Sequence, residues 1–583
     1  MLTWRRGRYS TAAARGQGPR PILISTSSIA LQNAVQTEYL PLLSAAMLED
    51  SMIDRPLTAV IRKGKSHYAC RQRLEQRLLQ IKLSKKNELT IEALLSLREH
   101  LDMDSVPHLS NYDRERVCVP KVCECDREDC PYRVFLEDCD SGEYPFQVCN
   151  HNLLLADAIH RGMGREPILP DACAVVIDEA HKLPDTARQM FGTTLETGDI
   201  KGLIRTLRRE KFLLAAESLA ELSAPLLRLM NEPFDNGKTF SSFARFLIAP
   251  VRNLHIVQKQ LHGLLSKDTK RQLKKLSSTM ELFTKEDTGL VFYAIEDKRG
   301  GTMLCAVAAD MTAQLRATLW NQERPAILTS GTLAVGRDFH RFKEETGLLS
   351  DGRVTEFVTP SPFDYKSNCL LYLPLHPPKQ TDSGYFDTLA AEIAALLDAC
   401  WGHALVLFTS YAAMSAIKER LAEMDLPWEV FTLSRNAVHT TQEFKDSPGS
   451  VLLATGAAWE GFDFPGDCVS LLVIPRLPFS RPDALKEKKR AEYPTLRAFI
   501  RAVVVPEMQI KLKQGFGRAI RTETDTCVVA ILDERASPCQ RHHDAMLAAL
   551  PELFQTSSLE DVVEFIYRTK DAGYFHHEKT SDV

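Results

Sequence analysis

The chain has 583 residues, of which 44% are hydrophobic and 25% charged, with a formal net charge of -4. That length exceeds a single core and predicts roughly three or four domains. The near-neutral balance excludes a uniformly basic nucleic-acid binder and leaves any such surface to local patches. No apolar run of about 18 residues occurs, which excludes a membrane-spanning helix on sequence grounds.

Taken in chain order, the first twenty residues are rich in arginine and hold no acid, a composition shared with mitochondrial transit peptides. From Pro21 the text turns into Ile22-Leu23-Ile24-Ser25-Thr26-Ser27-Ser28, which predicts an apolar strand ending in hydroxyls. An amphipathic helix through Leu31, Val35, Tyr39 and Leu42 is expected to follow. Hydroxyls at a strand end either cap the next helix or contact a nucleic-acid backbone, and capping is the default. Gly64-Lys65-Ser66 imitates the end of a phosphate loop. Such a loop needs a further glycine five residues earlier, and position 59 is alanine, so the segment is rejected as a nucleotide site.

Half of the fourteen cysteines fall between Cys70 and Cys149, and Cys118, Cys123, Cys125 and Cys130 crowd thirteen residues. In a chain without a secretory signal this clustering points to metal rather than disulfides. Cys70, Cys118, Cys123 and Cys130 are the candidate ligands, with Cys125 and Cys139 as rivals. Four thiolates suit a [4Fe-4S] cluster or one zinc, and spacing alone separates these poorly. Next comes Asn150-His151-Asn152-Leu153, a polar turn entering a helix.

Val175-Val176-Ile177-Asp178-Glu179-Ala180-His181 reads as a buried parallel strand that ends in two carboxylates and a histidine, at the place where open α/β sheets bind their ligands. This is a Walker B pattern with a DEAH box. Asp178 suits Mg²⁺ held through water, and Glu179 suits the orientation and deprotonation of a water attacking a γ-phosphate. The bland alternative is a strand ending in an acidic turn. From about 188 to 290 apolar residues recur at spacings of three and four, as in Leu254, Val257, Leu261 and Leu264, which predicts packed helices with solvated basic faces.

Ala326-Ile327-Leu328-Thr329-Ser330-Gly331-Thr332 returns to strand and turn, and Ser330 to Thr332 either relay hydrogen bonds or simply form a tight turn. The proline-rich passage 360–378 reads as a linker. Beyond it, apolar runs at 404–410, 451–456, 471–474 and 527–532 predict a second parallel α/β sheet. Trp459-Glu460-Gly461-Phe462-Asp463 is expected at a domain interface. In Gln514-Gly515-Phe516-Gly517-Arg518-Ala519-Ile520-Arg521, the two arginines at i and i+3 are expected on one helix face.

In this order the segments resemble the iron-sulfur helicases of superfamily two, the DinG and XPD group, and most closely bacterial DinG. Ser25 to Gln32 match motif Ia, Asp178 to His181 motif II, Ser330 to Thr332 motif III, Glu460 to Asp463 motif V and Gln514 to Arg521 motif VI. The resemblance implies two RecA-like parallel-sheet motor domains, with an iron-sulfur insert and a helical Arch in the first. It places the start of the first motor at 1–69, the iron-sulfur insert at 70–145, the DEAH segment at 146–190, the Arch at 191–300, the end of the first motor at 301–345, and the second motor at 346–583. It further implies ATP and Mg²⁺, with catalysis by Glu179, Asp178, Arg518 and Arg521. Nucleotide contacts would come from Asp178, His181, Gln514, Gly461 and Asp463, and a [4Fe-4S] cluster would sit on Cys70, Cys118, Cys123 and Cys130. The implied substrates are single-stranded DNA, tracked 5′ to 3′, and duplex junctions, in the bacterial cytoplasm and without a membrane.

One departure stands against these matches. The group carries a phosphate loop ending Gly-Lys-Thr or Gly-Lys-Ser about twenty residues before motif Ia, and this sequence has none. Residues 1–20 are therefore expected to replace the helix after that loop, as a truncated reading frame or a late start codon would produce. The alternative is a nucleic-acid-binding relative that no longer turns over ATP.

Overall fold

The computed structural model describes residues 20–81, 87–106, 108–120, 123, 125, 127–234, 239–285, 289–297, 300–322, 324–334, 337–349, 352–433, 437–459, 464, 466–480 and 482–575. The chain forms two compact units, Met1–Leu333 with Phe342–Gly352 and Ala334–Arg341 with Arg353–Val583.

The first unit is built on a five-stranded sheet of β1 (Ile22–Thr26), β2 (Ala59–Ile61), β3 (Phe146–Asn150), β4 (Ala174–Ile177) and β8 (Ala326–Leu328). Its spatial order is β2-β3-β1-β4-β8 and every pairing is parallel. Leu23, Val175 and Ile177 pack with Leu154, Leu155, Leu183 and Leu315 of the covering helices. This is the environment in which short β-branched runs are stable as parallel strands. The expected helix after β1 forms as Ile29–Ala34 and Leu40–Glu49, joined by a π-helical turn over Val35–Tyr39. That turn shifts the phase of the apolar stripe, and Tyr39 and Leu42 are left 54% and 70% exposed.

Two excursions leave this sheet. Between β2 and β3 the cysteine-rich segment gathers a small core of its own, including Leu74, Leu94, Met103 and Val117. Buried cations fasten its ends. Arg62 donates to Asp140 at 2.9 Å, to Gln147 at 3.2 Å and to the Ile168 carbonyl at 2.9 Å. Lys63 donates to Asp102 at 2.6 Å and Asp104 at 2.9 Å, so its burial is compensated by paired charge. Residues Lys65–His67 make one 3₁₀ turn.

Between β4 and β8 stand the helices Thr197–Arg209, Leu213–Asn231, Ile248–Gln260 and Lys267–Leu282. Of the predicted stripe residues, Leu254 and Val257 are buried in one core with Leu273, Leu276 and Met280, and Leu261 packs against it, whereas Leu264, beyond the end of the helix Ile248–Gln260, is 68% exposed. An antiparallel sheet in the order β5-β7-β6 closes this helical excursion, with β5 at Thr193–Leu195, β6 at Leu290–Glu296 and β7 at Thr302–Ala308.

The second unit holds a seven-stranded sheet of β9 (Cys369–Tyr372), β10 (Ala404–Phe408), β11 (Val430–Thr432), β12 (Val451–Thr455), β13 (Leu471–Ile474), β14 (Cys527–Ile531) and β15 (Phe554–Thr556). The order is β11-β12-β10-β13-β14-β9-β15, parallel throughout. All residues of β10, β12, β13 and β14 are buried, and separate apolar cores cover the sheet's two faces. The proline-rich passage is not a linker. It contains β9, a fully buried strand between β14 and β15, because Cys369-Leu370-Leu371-Tyr372 is apolar enough to enter the sheet despite its flanking prolines.

Candidate functional site

The carboxyl ends of β1, β4 and β8 lie side by side. Register pairs Ser25 with Ile177 and Ile177 with Leu328, so the residues that follow each strand emerge at one level. Backbone bonds lock this arrangement. Asp178 N–H donates to Ser25 O at 2.8 Å, Thr329 N–H to Ile177 O at 2.9 Å, and Ala180 N–H to Thr329 O at 3.0 Å.

Glu179 turns the chain out of the strand with φ 49° and ψ 43°, a left-handed conformation that costs a non-glycine residue about 1 kcal/mol or more. Its side chain is held on two sides. Ser330 Oγ donates to Glu179 Oε2 at 2.9 Å, His181 Nδ1 lies 3.1 Å from the same oxygen, and His181 Nδ1 and Ser330 Oγ are 2.8 Å apart. The Thr332 N–H donates to Ser330 Oγ at 3.2 Å. The Ser-Gly-Thr turn therefore hydrogen-bonds directly to the DEAH segment.

Electrostatics separates the two adjacent acids. The hydrogen bond from His181 holds Glu179 below the ordinary carboxylate range, against the opposing effect of burial. Burial, followed by the neighbouring Glu179 charge, pushes Asp178 up. Two carboxyl groups with opposite shifts are the pattern of an acid pair with divided roles. A cation placed at Asp178 would relieve its desolvation and pull it back down.

Behind this turn is a residue that the sequence reading passed over as part of a polar turn. His151 is 2% exposed and its Nδ1 lies 2.8 Å from Ser25 Oγ. Burial lowers its pKa to about 4, so the ring is neutral at ordinary pH. The available signal was an Asn-His pair at a strand end, where Asn150 caps the helix His151–Gly162 by accepting from Leu153 N–H at 2.9 Å. Of the hydroxyls after β1, Ser25 serves His151, and Ser28 caps the next helix by accepting from Leu31 N–H at 3.2 Å.

In the second unit, the helix Val505–Phe516 carries Gln514 and ends at Gly517. Arg518 and Arg521 thus lie in the turn after the helix and not on one of its faces, since the helix already stops at Phe516 with Gly517 as its cap. Arg521 N–H and Thr522 N–H both donate to Asp525, at 2.7 and 2.8 Å. Trp459 is not an exposed interface aromatic. It is 1% exposed, in the unit's own core, and its indole N–H donates to Phe408 O at 3.0 Å. Gly515 is required beside it, because a Cβ there would stand 2.7 Å from Trp459 Cζ3. Glu460, Gly461, Phe462 and Asp463 lie outside the described residues.

All fourteen cysteines are free thiols. Cys70 and Cys118, far apart in sequence, are brought onto bonded backbone segments: Ala69 and Cys118 form a β-bridge, and Cys70 N–H donates to Val117 O at 2.7 Å. Cys130 precedes the helix Pro131–Cys139 and Cys123 is exposed. Among the described residues no three metal-ligating side chains gather into one group. The donor set fits a thiolate-bound group in its chemistry, with Cys70, Cys118, Cys125 and Cys130 partly accessible and Cys123 exposed. Cys139 fits least, because it is buried and its thiol is pushed up to about 11, whereas a ligand must be a thiolate.

Comparison with known proteins sets this geometry in context. A family model described as "Helicase C-terminal domain" matches residues 393–553. The chain is 27% identical to the ATP-dependent DNA helicase YoaA of Escherichia coli, covering 96% of this chain and 91% of that protein. It is 26% identical to the ATP-dependent DNA helicase DinG of Photobacterium profundum, covering 91% and 87%. Among solved structures, one titled "XPD_Helicase" aligns with a TM-score of 0.51 at 15% identity, over 95% of this chain and 100% of that one, which is a likeness of fold. Among the described residues no helix is long and apolar enough to cross a membrane.

Proposed function

We propose that this chain, a DinG/XPD-like member of helicase superfamily two, is an ATP-dependent DNA helicase that tracks 5′ to 3′ along single-stranded DNA and opens duplex junctions. The observation that carries this reading is the Ser330–His181–Glu179 triangle at the carboxyl end of β4. A carboxylate kept ionised and aimed by two partners is what a water-orienting base needs.

In this reading Asp178 holds Mg²⁺ through water, and Glu179 accepts the proton of the water that attacks the γ-phosphate. Arg518 and Arg521 supply positive charge to the transferring phosphoryl group, an effect worth ~10³ to 10⁵ in rate in such reactions. His181, Gln514, Gly461 and Asp463 complete the nucleotide contacts. ATP and Mg²⁺ supply the driving reaction, and the protein works in the bacterial cytoplasm. Cys70, Cys118, Cys123 and Cys130 would hold a [4Fe-4S] cluster, with Cys125 as the substitute ligand. When bound, such a cluster would cross-link the excursion between β2 and β3.

A second reading rests on one sequence fact: these 583 residues contain no Gly-x-x-x-x-Gly-Lys-Thr or -Ser. Backbone N–H groups and a lysine of that loop ordinarily cradle the β and γ phosphates. Without them the chain would be a DNA-binding relative without ATP turnover. Strand displacement separates the readings. The helicase reading predicts ATP-dependent opening of a duplex with a 5′ single-stranded tail and little opening of one with a 3′ tail. Tight binding of both substrates with no opening of either would support the second reading.

A further inference from the structure

The helical excursion between β4 and β8 carries a feature that the helicase chemistry does not use. Two hollows of about 410 and 640 Å³ adjoin along the seam between the helices Leu213–Asn231 and Ile248–Gln260, and Arg245 lines both. Ile248, Arg252 and Ile256 recur at i, i+4 and i+8, so they form one stripe about 12 Å long on the second helix. Leu222 faces the same hollow from the first helix. These apolar side chains are 38% (Leu222), 48% (Ile248) and 51% (Ile256) exposed.

We propose that this groove is a docking surface for an acidic, amphipathic helical segment of a partner protein. Three observations point to that occupant. The first is charge. Arg228, Arg245 and Arg252 are exposed along the groove, Glu232 is the one carboxylate lining either hollow among the described residues, and from residue 239 to 267 the sequence has no Asp or Glu. Guanidinium groups at such spacing match carboxylates bidentately.

The second is shape. Branched aliphatic side chains between the arginines offer pockets to apolar side chains at helical spacing, as helix-in-groove recognition requires. Among the described residues no aromatic side chain lines the first hollow, and the one that lines the second, Phe246, is already covered by the Arg245 guanidinium 4.6 Å from its ring centroid, so neither hollow presents a bare ring on which a nucleic-acid base could stack. The third is an unmet hydrogen bond. Asn253 lines the first hollow and is 8% exposed. Its Nδ2 donates to Ser218 Oγ at 2.7 Å, and its Oδ1 has no partner. A buried acceptor left unpaired costs about 1 to 3 kcal/mol; this oxygen is closed off from the surface, so a peptide or side-chain N–H would satisfy it only where the docked segment parts the seam. A phosphodiester backbone has no such donor. Pro225 lies inside the first helix and lines the second hollow, where it withholds an N–H from the carbonyl one turn earlier.

The test uses the full chain and a fluorescein-labelled helical peptide of about 18 residues, ~27 Å long, with leucine at i, i+3, i+4 and i+7 and glutamate on the flanks. Its lysine counterpart and labelled single-stranded oligothymidine are the comparison probes. The proposal predicts saturable anisotropy with the glutamate peptide only. Affinity should fall about tenfold in Arg245→Glu/Arg252→Glu and a few-fold in the milder Arg245→Gln/Arg252→Gln and in Asn253→Leu. Oligothymidine affinity should be the same in all four proteins. Absent peptide binding to the unaltered chain, or binding unchanged in the folded glutamine variant, would overturn the proposal. So would a tenfold loss of oligothymidine binding in the same variant, which would make the groove a nucleic-acid track.

Discussion

Glu179 holds its position with a left-handed backbone, and its carboxylate meets Ser330 from the turn after β8 and His181 from its own turn after β4. Ser330 both donates to Glu179 and lies within hydrogen-bond reach of His181, so Ser330→Ala should unfasten the base without unfolding the sheet. DNA-stimulated ATP hydrolysis is expected to fall about tenfold, while the circular dichroism spectrum stays unchanged. His151 makes a separate prediction about pH. Its folded pKa of about 4 lies below the ordinary value of 6.5. The unfolded chain therefore binds the proton first, and stability present above pH 6.5 is lost as pH falls toward 4. The loss is on the order of 3 kcal/mol. Denaturant midpoints measured from pH 7 to pH 4 should fall less steeply in His151→Gln, whose side chain stays neutral throughout.

Within single elements, packing decides what substitution does. The helix Val505–Phe516 meets Trp459 at Gly515, and added atoms there contact both Cζ3 and Cε3 of the ring, at 2.7 and 2.8 Å. Gly515→Ala should cost ~1 to 3 kcal/mol by overpacking, read from urea denaturation, and a smaller ring in Trp459→Phe should return part of it. For the cysteine-rich excursion, Cys70→Ser in protein purified without oxygen should lose its iron and its broad absorbance near about 400 nm. Retention of both would remove Cys70 from the ligand set.

The strands, the DEAH turn and the Ser-Gly-Thr turn were legible because each is a short local pattern with a fixed period and a polar stop. The places where the reading departed from the structure are those governed by distant contacts. Buried β9 lies inside a proline-rich passage, Trp459 sits in the core and not at an edge, and a π-helical turn displaces Tyr39 and Leu42 from their predicted stripe. His151 gained its place only once β3 and β1 were paired.

At the scale of the whole molecule, two parallel sheets carry the segments that nucleotide chemistry would use: the acids in the first unit and the arginines in the second. Each unit folds around its own core, and under the proposed function turnover would need residues of both. ATP and DNA would join them, and the absence of a phosphate-loop pattern from these 583 residues bears on that joining most directly. The decisive measurement is steady-state ATP hydrolysis by the 583-residue chain with Mg²⁺, with and without single-stranded DNA, beside Glu179→Gln. The account predicts hydrolysis that rises at least about tenfold with DNA and falls ~10² or more in the variant. Hydrolysis that is absent, or equal in the two proteins, with DNA binding intact would contradict it.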